Sequence, residues 1–194
     1  PTSGFIQPKR KGAWNEGFDP REVNFNFTEA NAWQYLFAAQ HDIQGQAALA
    51  GGDSSYLAKI DAMFDAPVQT TGRVQPDITG LRGQYAHGNE PSHHVSYLAS
   101  YAGAPAQTAD RVRDICKNLY DDSPAGLCGN EDCGQMSAWF VWSALGMYPV
   151  EPGSGELVLG SPLFERAVVR PENGAPTILD APKATTKPYI DQAS

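Results

Sequence analysis

The chain has 194 residues, of which 41% are hydrophobic and 19% charged, a composition typical of one globular domain and not of a disordered chain. Its net charge of −8 argues against nucleic acid or an anionic membrane as a partner, because both attract basic surfaces. No apolar run reaches the roughly 20 residues needed to span a bilayer. Neutral or cationic ligands, metal ions included, remain compatible with this charge.

The first 27 residues are predicted to form loops, because Pro8, Gly12, Gly17 and Pro20 interrupt any regular pattern. They contain no signal-peptide pattern. We therefore expect residue 1 to be an internal position of a longer protein.

Apolar residues recur at helical spacing from residue 28 onward. Thr28 is the predicted N-cap of the first helix, and Gly51 with Gly52 ends it. A polar connection of residues 67–92 separates the second helix from the third. Four helices are predicted before residue 121, over residues 28–50, 54–66, 91–101 and 106–120.

The apolar face of the fourth helix includes Cys116, which is predicted to be a small buried side chain. The stretch from Met136 to Met147 is apolar almost all the way round, which predicts a helix buried on most sides. The pattern as a whole predicts a mainly α fold of the α/α toroid type, followed by a small β appendage. Short strands are predicted over residues 157–159, 167–169 and 177–179.

Three segments collect polar and acidic residues for which a hydrophobic core has no use. The first, FNFTEANAWQY, covers residues 25–35 and places Glu29 in the first turn of the predicted helix. The positive end of the helix dipole is enough to explain an acid there. Alternatively, Phe27 and Trp33 surround the carboxyl group, raise its pKa and allow it to act as a general acid.

The second segment, HGNEPSHH, covers residues 87–94 and holds three histidines, an amide and an acid. The oxygen atoms of Asn89 and Glu90 suit calcium, which is a hard cation. The histidines would suit zinc, but no HExxH spacing is present. Alternatively, Asn89 caps a helix while His93 and His94 are buried hydrogen-bonding side chains, and the residues alone leave both readings open.

The third segment, GLCGNEDCGQMSAW, covers residues 126–139 and places Glu131 and Asp132 before the apolar helix. Cys128 and Cys133 flank these acids as either a small disulfide or two thiols. Acids at two separate helix starts indicate hydrolysis by paired carboxyl groups, in which one protonates the leaving oxygen and the other activates water. The residues alone therefore lead as far as a candidate carbohydrate hydrolase.

Five stretches resemble glycoside hydrolase family 92, the calcium-dependent exo-acting α-mannosidases: PTSGF, TEANAWQY, HGNEPSHH, GNEDCGQMSAW and ALGMYPVEPGSGELVLGSPLF. The resemblance extends over almost the whole chain and keeps the motifs in family order. Family members have an N-terminal β-sandwich followed by an (α/α)6 barrel domain. The resemblance implies that residues 1–150 are part of the (α/α)6 catalytic barrel and residues 151–194 a C-terminal β-rich segment, with the β-sandwich and the early barrel helices absent.

The resemblance also implies roles for the acids. Glu29 matches the general acid and Asp132 the general base of an inverting mechanism. Asn89 and Glu90 match the segment that binds calcium, an ion expected to hold the 2- and 3-hydroxyls of mannose. The implied sugar contacts are His87, Glu131 and Trp33.

The function implied by the resemblance is removal of terminal α-linked mannose, with the α-1,2 linkage of N-glycans or mannans as the expected substrate. It implies a secreted or periplasmic location, and the missing N-terminal part of the same enzyme as a partner. We expect the isolated chain to be a poor catalyst, because that part helps to wall the mannose pocket. The alternative is a non-catalytic carbohydrate-binding or structural fragment that retains the motifs.

Overall fold

Six α-helices and five two-stranded sheets form the part of the chain that the structure, a computed structural model, describes, namely residues 3–193. The α-helices are α1 (Ala32–Tyr35), α2 (Ile43–Ala50), α3 (Asp53–Asp65), α4 (Leu98–Tyr101), α5 (Pro105–Asn118) and α6 (Gln135–Leu145). The strands are β1 (Lys9–Arg10), β2 (Ala13–Trp14), β3 (Glu22–Val23), β4 (Thr71–Gly72), β5 (Leu81–Arg82), β6 (Tyr85–Ala86), β7 (Met147–Tyr148), β8 (Val158–Leu159), β9 (Arg166–Val169) and β10 (Thr177–Asp180).

Every sheet in this part of the chain is a pair of short strands. The pairs are β1–β2, β5–β6, β7–β8 and β9–β10, all antiparallel, and the parallel pair β3–β4. The parallel pair joins the N-terminal loop region to the polar connection that precedes residue 87. The mainly α character with small sheets is therefore confirmed, including the three C-terminal strands predicted from sequence.

The helix predicted over residues 28–50 is in fact two helices, α1 and α2, with a loop between them. Asn31, not Thr28, is the N-cap of α1, and it forms a capping box with Gln34. Asp42 caps α2 by accepting a hydrogen bond from the Gly45 N–H at 2.8 Å. The apolar spacing does not reveal this break, because side-chain caps, and not the apolar pattern, set where each helix begins.

The later helices follow the prediction more closely. The helices α3 and α5 lie within two residues of their predicted bounds, and Cys116 is buried as expected. The third predicted helix begins as two turns of 3-10 helix, Glu90–Ser92 and Val95–Tyr97, before α4. Helix α6 lies where it was predicted, but its burial differs from the prediction.

Helix α6 is buried on one face and exposed on the other. Met136 and Trp139 are fully buried, whereas Val141 and Trp142 are 56% and 36% exposed. The prediction of burial on most sides is therefore wrong for the part of the chain described. A helix that is apolar on every side can be buried on any face, but its sequence does not show which faces other elements pack against.

The core lies between α2, α3, α4, α5 and α6. It is centred on large, fully buried side chains that include Ile60, Met63, Tyr97, Leu98 and Trp139. The segment that leads into α4 crosses this core, so polar residues of that segment reach the surface at one end and the core at the other. Within residues 3–193, no helix has both the length and the apolar character that a membrane crossing requires.

Candidate active site

The three polar segments meet on residues 87–94, which we call the histidine segment. The Asn89 Nδ2 donates a hydrogen bond to the Glu29 carbonyl oxygen at 3.2 Å. The Asp132 carboxyl lies close enough to Glu90 for its negative charge to raise the pKa of Glu90. Two neighbouring residues of one segment thus lie close to the loops that carry the two acids, which we call the Glu29 loop (residues 25–31) and the Asp132 loop (residues 128–134).

Two glycines allow the histidine segment and the Asp132 loop to lie backbone against backbone. A β-carbon placed on Gly129 would overlap the carbonyl group of Gly88. A β-carbon placed on Gly88 would in turn overlap the Thr79 hydroxyl. Since only glycine permits such an approach, the contact between these two segments is built into the sequence.

Glu29 is exposed and lies outside helix α1, so the prediction that it occupies the first helical turn is wrong. Its φ angle is +52°, in the left-handed region. Phe27 and Trp33 do not enclose it, because Phe27 packs under the loop against Tyr35 with ring centroids 5.1 Å apart. A cavity of about 220 Å³ opens between Glu29 and Asn89.

Asp132 has the same backbone feature as Glu29. It is exposed, its φ angle is +44°, and Cys133 follows it at +57°. Among residues 3–193, four non-glycine residues have a positive φ, and Glu29 and Asp132 are two of them. Such a conformation is unfavourable for side chains with a β-carbon, and it concentrates at functional sites.

Glu90 is half-buried, whereas Glu29 and Asp132 are exposed. Burial raises its pKa above the ordinary value, and the negative charges of Asp132 and Asp77 raise it further. Its Oε1 atom is buried and has no hydrogen-bond partner. A buried carboxylate oxygen without a donor is costly, and a proton or a cation would lower that cost.

A calcium ion is one such cation, and the described residues fit it in part. The Glu90 oxygen atom is free of donors, and the acidic surroundings attract a hard cation. Asn89 precedes a turn of 3-10 helix, but its side chain makes no capping hydrogen bond there. Residues 3–193 contain no group of three or more histidine, cysteine, aspartate or glutamate side chains that could hold a metal ion.

His87 has no exposed surface, and both of its ring nitrogens are hydrogen-bonded. Its Nδ1 is 2.7 Å from the Tyr85 hydroxyl, and its Nε2 is 2.6 Å from the Tyr120 hydroxyl. Burial lowers the pKa of His87 to about 2, with a smaller effect from the neighbouring His93, so the ring is neutral. This geometry does not support the predicted sugar contact, because no ring nitrogen is left for a ligand.

The other two histidines of the segment are the buried hydrogen-bonding side chains of the second sequence reading. The His93 Nε2 is 3.1 Å from the His87 carbonyl oxygen, and the His94 Nε2 is 2.7 Å from the Phe37 carbonyl oxygen. Burial lowers the pKa of both. The His94 hydrogen bond fastens the histidine segment to Phe37 in the core, and the His93 hydrogen bond closes a turn within the segment.

The two remaining predicted sugar contacts lie at the edge of the site. The Glu131 carboxylate accepts a hydrogen bond from the Ser137 backbone N–H at 3.0 Å, and it thereby caps α6. Trp33 is half-buried and packs edge-to-face on Phe5, with ring centroids 4.6 Å apart. Cys128 and Cys133 are both free thiols in this structure, which answers the question that their spacing left open.

Sequence reasoning missed two contributors to the site. Asp77 accepts a hydrogen bond from the Asn130 side chain at 3.4 Å and adds negative charge beside Glu90. Tyr120 holds His87 from the far side. Neither had a signal in the sequence, because Asp77 lies in a polar connection and Tyr120 follows an amphipathic helix.

Carboxyl groups on two separate loops, joined through a third segment, are compatible with the acid–base chemistry of a hydrolase. Comparison with known proteins is more specific. The sequence profile described as the glycosyl hydrolase family 92 catalytic domain matches residues 1–194. The chain belongs to glycoside hydrolase family 92.

Two solved relatives come from Bacteroides thetaiotaomicron. One is a family 92 α-mannosidase in complex with mannoimidazole, 33% identical to this chain with a TM-score of 0.81, and 90% of this chain and 24% of the relative are covered. The other, from strain VPI-5482, is a family 92 inverting mannosidase, 37% identical with a TM-score of 0.78, and 96% and 27% are covered.

A relative known from its sequence is a protein of Arthroderma benhamiae named as an uncharacterized secreted glycosidase. It is 28% identical over 142 residues, which cover 73% of this chain and 16% of the relative. This chain therefore spans about a quarter or less of the length of each of these relatives.

Proposed function

We propose that the protein hydrolyses terminal α-linked mannose with inversion, using Glu29 as general acid and Asp132 as general base. The observation that carries this proposal is that the histidine segment contacts both acid-bearing loops, through Asn89 at Glu29 and through Gly88 at Gly129. The relatives named as an α-mannosidase and as an inverting mannosidase support mannose as the sugar.

In the proposed reaction, Glu29 gives its proton to the glycosidic oxygen while the bond from that oxygen to the anomeric carbon breaks. Asp132 takes a proton from a water molecule, whose oxygen forms the new bond from the opposite face of the sugar. The leaving group departs as an alcohol, and the mannose is released with inverted configuration. The cavity beside Glu29, at about 220 Å³, is below the roughly 300–1,000 Å³ of pockets for drug-sized ligands, and it suits a single sugar unit.

Calcium is the proposed cofactor, with Asn89 and Glu90 as two of its ligands. When bound, the ion would orient sugar hydroxyls and favour distortion of the ring. The Glu90 oxygen that has no donor supports this assignment, and so does the negative charge of Asp77 and Asp132 around it.

The finer features of the protein are proposals of the same kind. We propose that residues 1–150 belong to an (α/α)6 barrel, that residues 151–194 form a β-rich segment beside it, and that a further N-terminal part completes the enzyme. The proposed substrates are α-1,2-linked mannosides of N-glycans or mannans. A secreted location is supported by the name of the fungal relative.

The roles of the two acids are tested by Glu29→Gln and Asp132→Asn in the full polypeptide. Each substitution should lower kcat for a mannose disaccharide by about 100-fold or more. Glu29→Gln should cost much less with an activated aryl mannoside, because a good leaving group needs no protonation. Asp132→Asn should lower the rate equally with both substrates, because water must be activated in each case.

Glu172→Gln is the matched control, since Glu172 is exposed in the turn between β9 and β10 and should not affect the rate. If both active-site variants release mannose at the rate of this control, the proposal is wrong. A loss of stability without a specific loss of rate would favour the alternative of a non-catalytic domain that retains the family motifs.

Calcium is tested by chelation followed by return of the ion. Removal of calcium should lower both the rate of mannose release and the unfolding midpoint, and added calcium should restore both. Glu90→Gln should weaken the calcium-dependent rise in unfolding midpoint, which is a readout that does not need substrate. If the midpoint of the native protein is the same with and without calcium, the assignment is wrong.

A further inference from the structure

Tyr120 contacts the chain at both ends of the Asp132 loop. Its backbone pairs with Leu127 in an isolated antiparallel β-bridge, immediately before the loop begins. Its hydroxyl donates a hydrogen bond to the Met136 carbonyl oxygen at 3.1 Å, immediately after the loop ends. One residue outside the loop therefore fastens the chain on both sides of Asp132.

Backbone hydrogen bonds connect Met136 and its neighbour to the two acids of the loop, Glu131 and Asp132. The Met136 N–H donates to the Glu131 carbonyl oxygen at 3.3 Å, and the Gln135 N–H donates to the Asp132 carbonyl oxygen at 3.2 Å. A shift of the Met136 carbonyl would therefore move the turn in which Asp132 is held at positive φ. Backbone held in this way persists only when its surroundings fix it.

His87 fixes the Tyr120 hydroxyl from behind. A tyrosine hydroxyl has a single hydrogen, and here it points to the Met136 carbonyl oxygen, which can only accept. The hydroxyl is then free to accept a hydrogen bond from the His87 Nε2, which lies 2.6 Å away. The Nδ1 atom lies 2.7 Å from the Tyr85 hydroxyl, so each ring nitrogen has one hydroxyl partner.

Packing keeps this chain of hydrogen bonds in one arrangement. The Tyr120 ring stacks on Trp139, with centroids 5.9 Å apart and planes 7° from parallel. The His87 ring meets the same indole edge-on at 4.3 Å. Trp139 is fully buried, and its indole N–H donates to the His93 carbonyl oxygen at 3.1 Å, so the whole group is attached to the histidine segment.

We propose that Tyr120 is a positioning residue for Asp132, and that the hydrogen bond from the His87 ring to the Tyr120 hydroxyl holds Tyr120 in place. This proposal rests on the proposed role of Asp132 as general base. It also gives His87 a function in place of the sugar contact. Tyr120 touches no reacting atom in this scheme, and its effect reaches the water molecule only through the loop.

The test is Tyr120→Phe in the full polypeptide, compared with Tyr97→Phe. Tyr97 is a matched control, because its buried hydroxyl also bonds to α6, at Ser143 Oγ and 2.8 Å, about two helical turns from Met136. Tyr120→Phe should lower kcat by about tenfold with KM changed less than about twofold, since small misplacements of catalytic groups are costly. Tyr97→Phe should leave kcat within about twofold of the native value.

Two readouts separate positioning of the base from general damage. The loss in Tyr120→Phe should be the same for an activated aryl mannoside and for a mannose disaccharide, as for Asp132→Asn and unlike Glu29→Gln. His87→Gln keeps one donor and one acceptor and should retain more activity than His87→Leu, which keeps neither. This second pair keeps the test decisive if Tyr120→Phe folds poorly.

The outcomes also separate this inference from the function on which it rests. If Asp132→Asn is inactive while Tyr120→Phe and Tyr97→Phe have the same kcat, Tyr120 has no positioning role and only this inference fails. If Asp132→Asn keeps its full rate, the proposed base is wrong, and the positioning role falls with it.

Discussion

The Glu29 loop and the Asp132 loop share a backbone conformation but differ in what holds them. Both carry an exposed acid at positive φ shortly before a helix. The Glu29 loop leads into α1, a single turn, whereas the Asp132 loop leads into α6, which has 11 residues. A helix of one turn is not stable by itself, so the first loop cannot rely on its helix for an anchor.

Buried amides supply the anchor of the Glu29 loop. The Asn31 Nδ2 donates to the Gln84 Oε1 at 2.8 Å, and the Gln34 Nε2 donates to the Gln84 carbonyl oxygen at 3.1 Å. Gln84 is fully buried, and its Nε2 also donates to the Pro67 carbonyl oxygen and, at 3.3 Å, to the Gln69 carbonyl oxygen. The Asp132 loop depends instead on the aromatic packing of α6 and on the Tyr120 hydroxyl.

The comparison shows two ways to hold an acid in an unfavourable conformation. One loop is fixed by a polar network whose members must all be satisfied, since a buried polar group without a partner is costly. The other is fixed through one helix and one tyrosine. Different substitutions should therefore disturb the two loops.

The largest expected effect is that of Gln84→Leu. The substitution removes one of the two hydrogen-bond partners of the Asn31 Nδ2 and leaves the Pro67 and Gln69 carbonyl groups without their donor, and we expect the free energy of unfolding to fall by about 3 kcal/mol. The Glu29 loop should lose its anchor, so the rate with a mannose disaccharide should fall more than the rate with an activated mannoside. Urea denaturation and kinetics with both substrates measure these changes.

Gln46→Leu is the matched control for this prediction. Gln46 also holds a loop carbonyl, that of Ala39 at 2.7 Å, but it is only half-buried and lies apart from the Glu29 loop. It should cost about 1 kcal/mol. Equal losses for Gln84→Leu and Gln46→Leu would show that the buried network is not the anchor.

A smaller effect, of opposite sign, is expected from Glu29→Gly and Asp132→Gly. Glycine has no β-carbon to oppose positive φ, so each change should raise the free energy of unfolding by about 1 kcal/mol while mannose release is lost. Lys11→Gly is the control, because Lys11 has a φ of +51° away from the site. It should be stabilised to a similar extent and keep full activity.

Thermal or urea unfolding of these three variants decides the point. Destabilisation of Glu29→Gly or Asp132→Gly would mean that positive φ is not a cost at the site. A gain in both, without a gain in Lys11→Gly, would place the strain in the acid loops alone.

The smallest expected effect depends on pH and concerns Glu131 in the Asp132 loop. Hydrogen bonds from the Ser137 hydroxyl and backbone N–H hold the pKa of Glu131 below its ordinary value of 4.5. A lowered pKa in the folded state means that the charged form stabilises the fold, fully above the unfolded pKa and progressively less as pH falls through the folded one. The Glu131→Gln variant should therefore melt below the native protein at pH 7.

This difference in melting temperature should disappear in acid, well below pH 4.5, where the native side chain is also uncharged. Thermal melts of both proteins across this range provide the measurement. A difference that persists unchanged at low pH would exclude the charge of Glu131 as its cause. The effect is small because the side chain is exposed.

Much of the local structure could be predicted from the sequence. The helices α3 and α5 have clear apolar faces, and the C-terminal strands lie between turn residues, so their positions were correct. The N-cap of α1 was predicted at Thr28 but is Asn31. Both residue types cap helices, and only the contact with Gln84 favours Asn31.

The site was predicted as a set of motifs but not as an arrangement. The sequence located Glu29, Asp132 and the histidine segment, and their roles remain proposals. The sequence predicted a sugar contact for His87, because a polar motif does not show whether its histidine is buried. Its two tyrosine partners were not singled out, and one of them is 33 residues away along the chain.

What the sequence by itself determined is the family and most helix positions, because motifs and periodicity are properties of neighbouring residues. What only the tertiary structure decided is which face of α6 is covered, the left-handed backbone at the two acids, and the burial of His87 between two tyrosine hydroxyls. These depend on contacts between residues that are distant along the chain, and no local pattern records which of them the folded chain brings together.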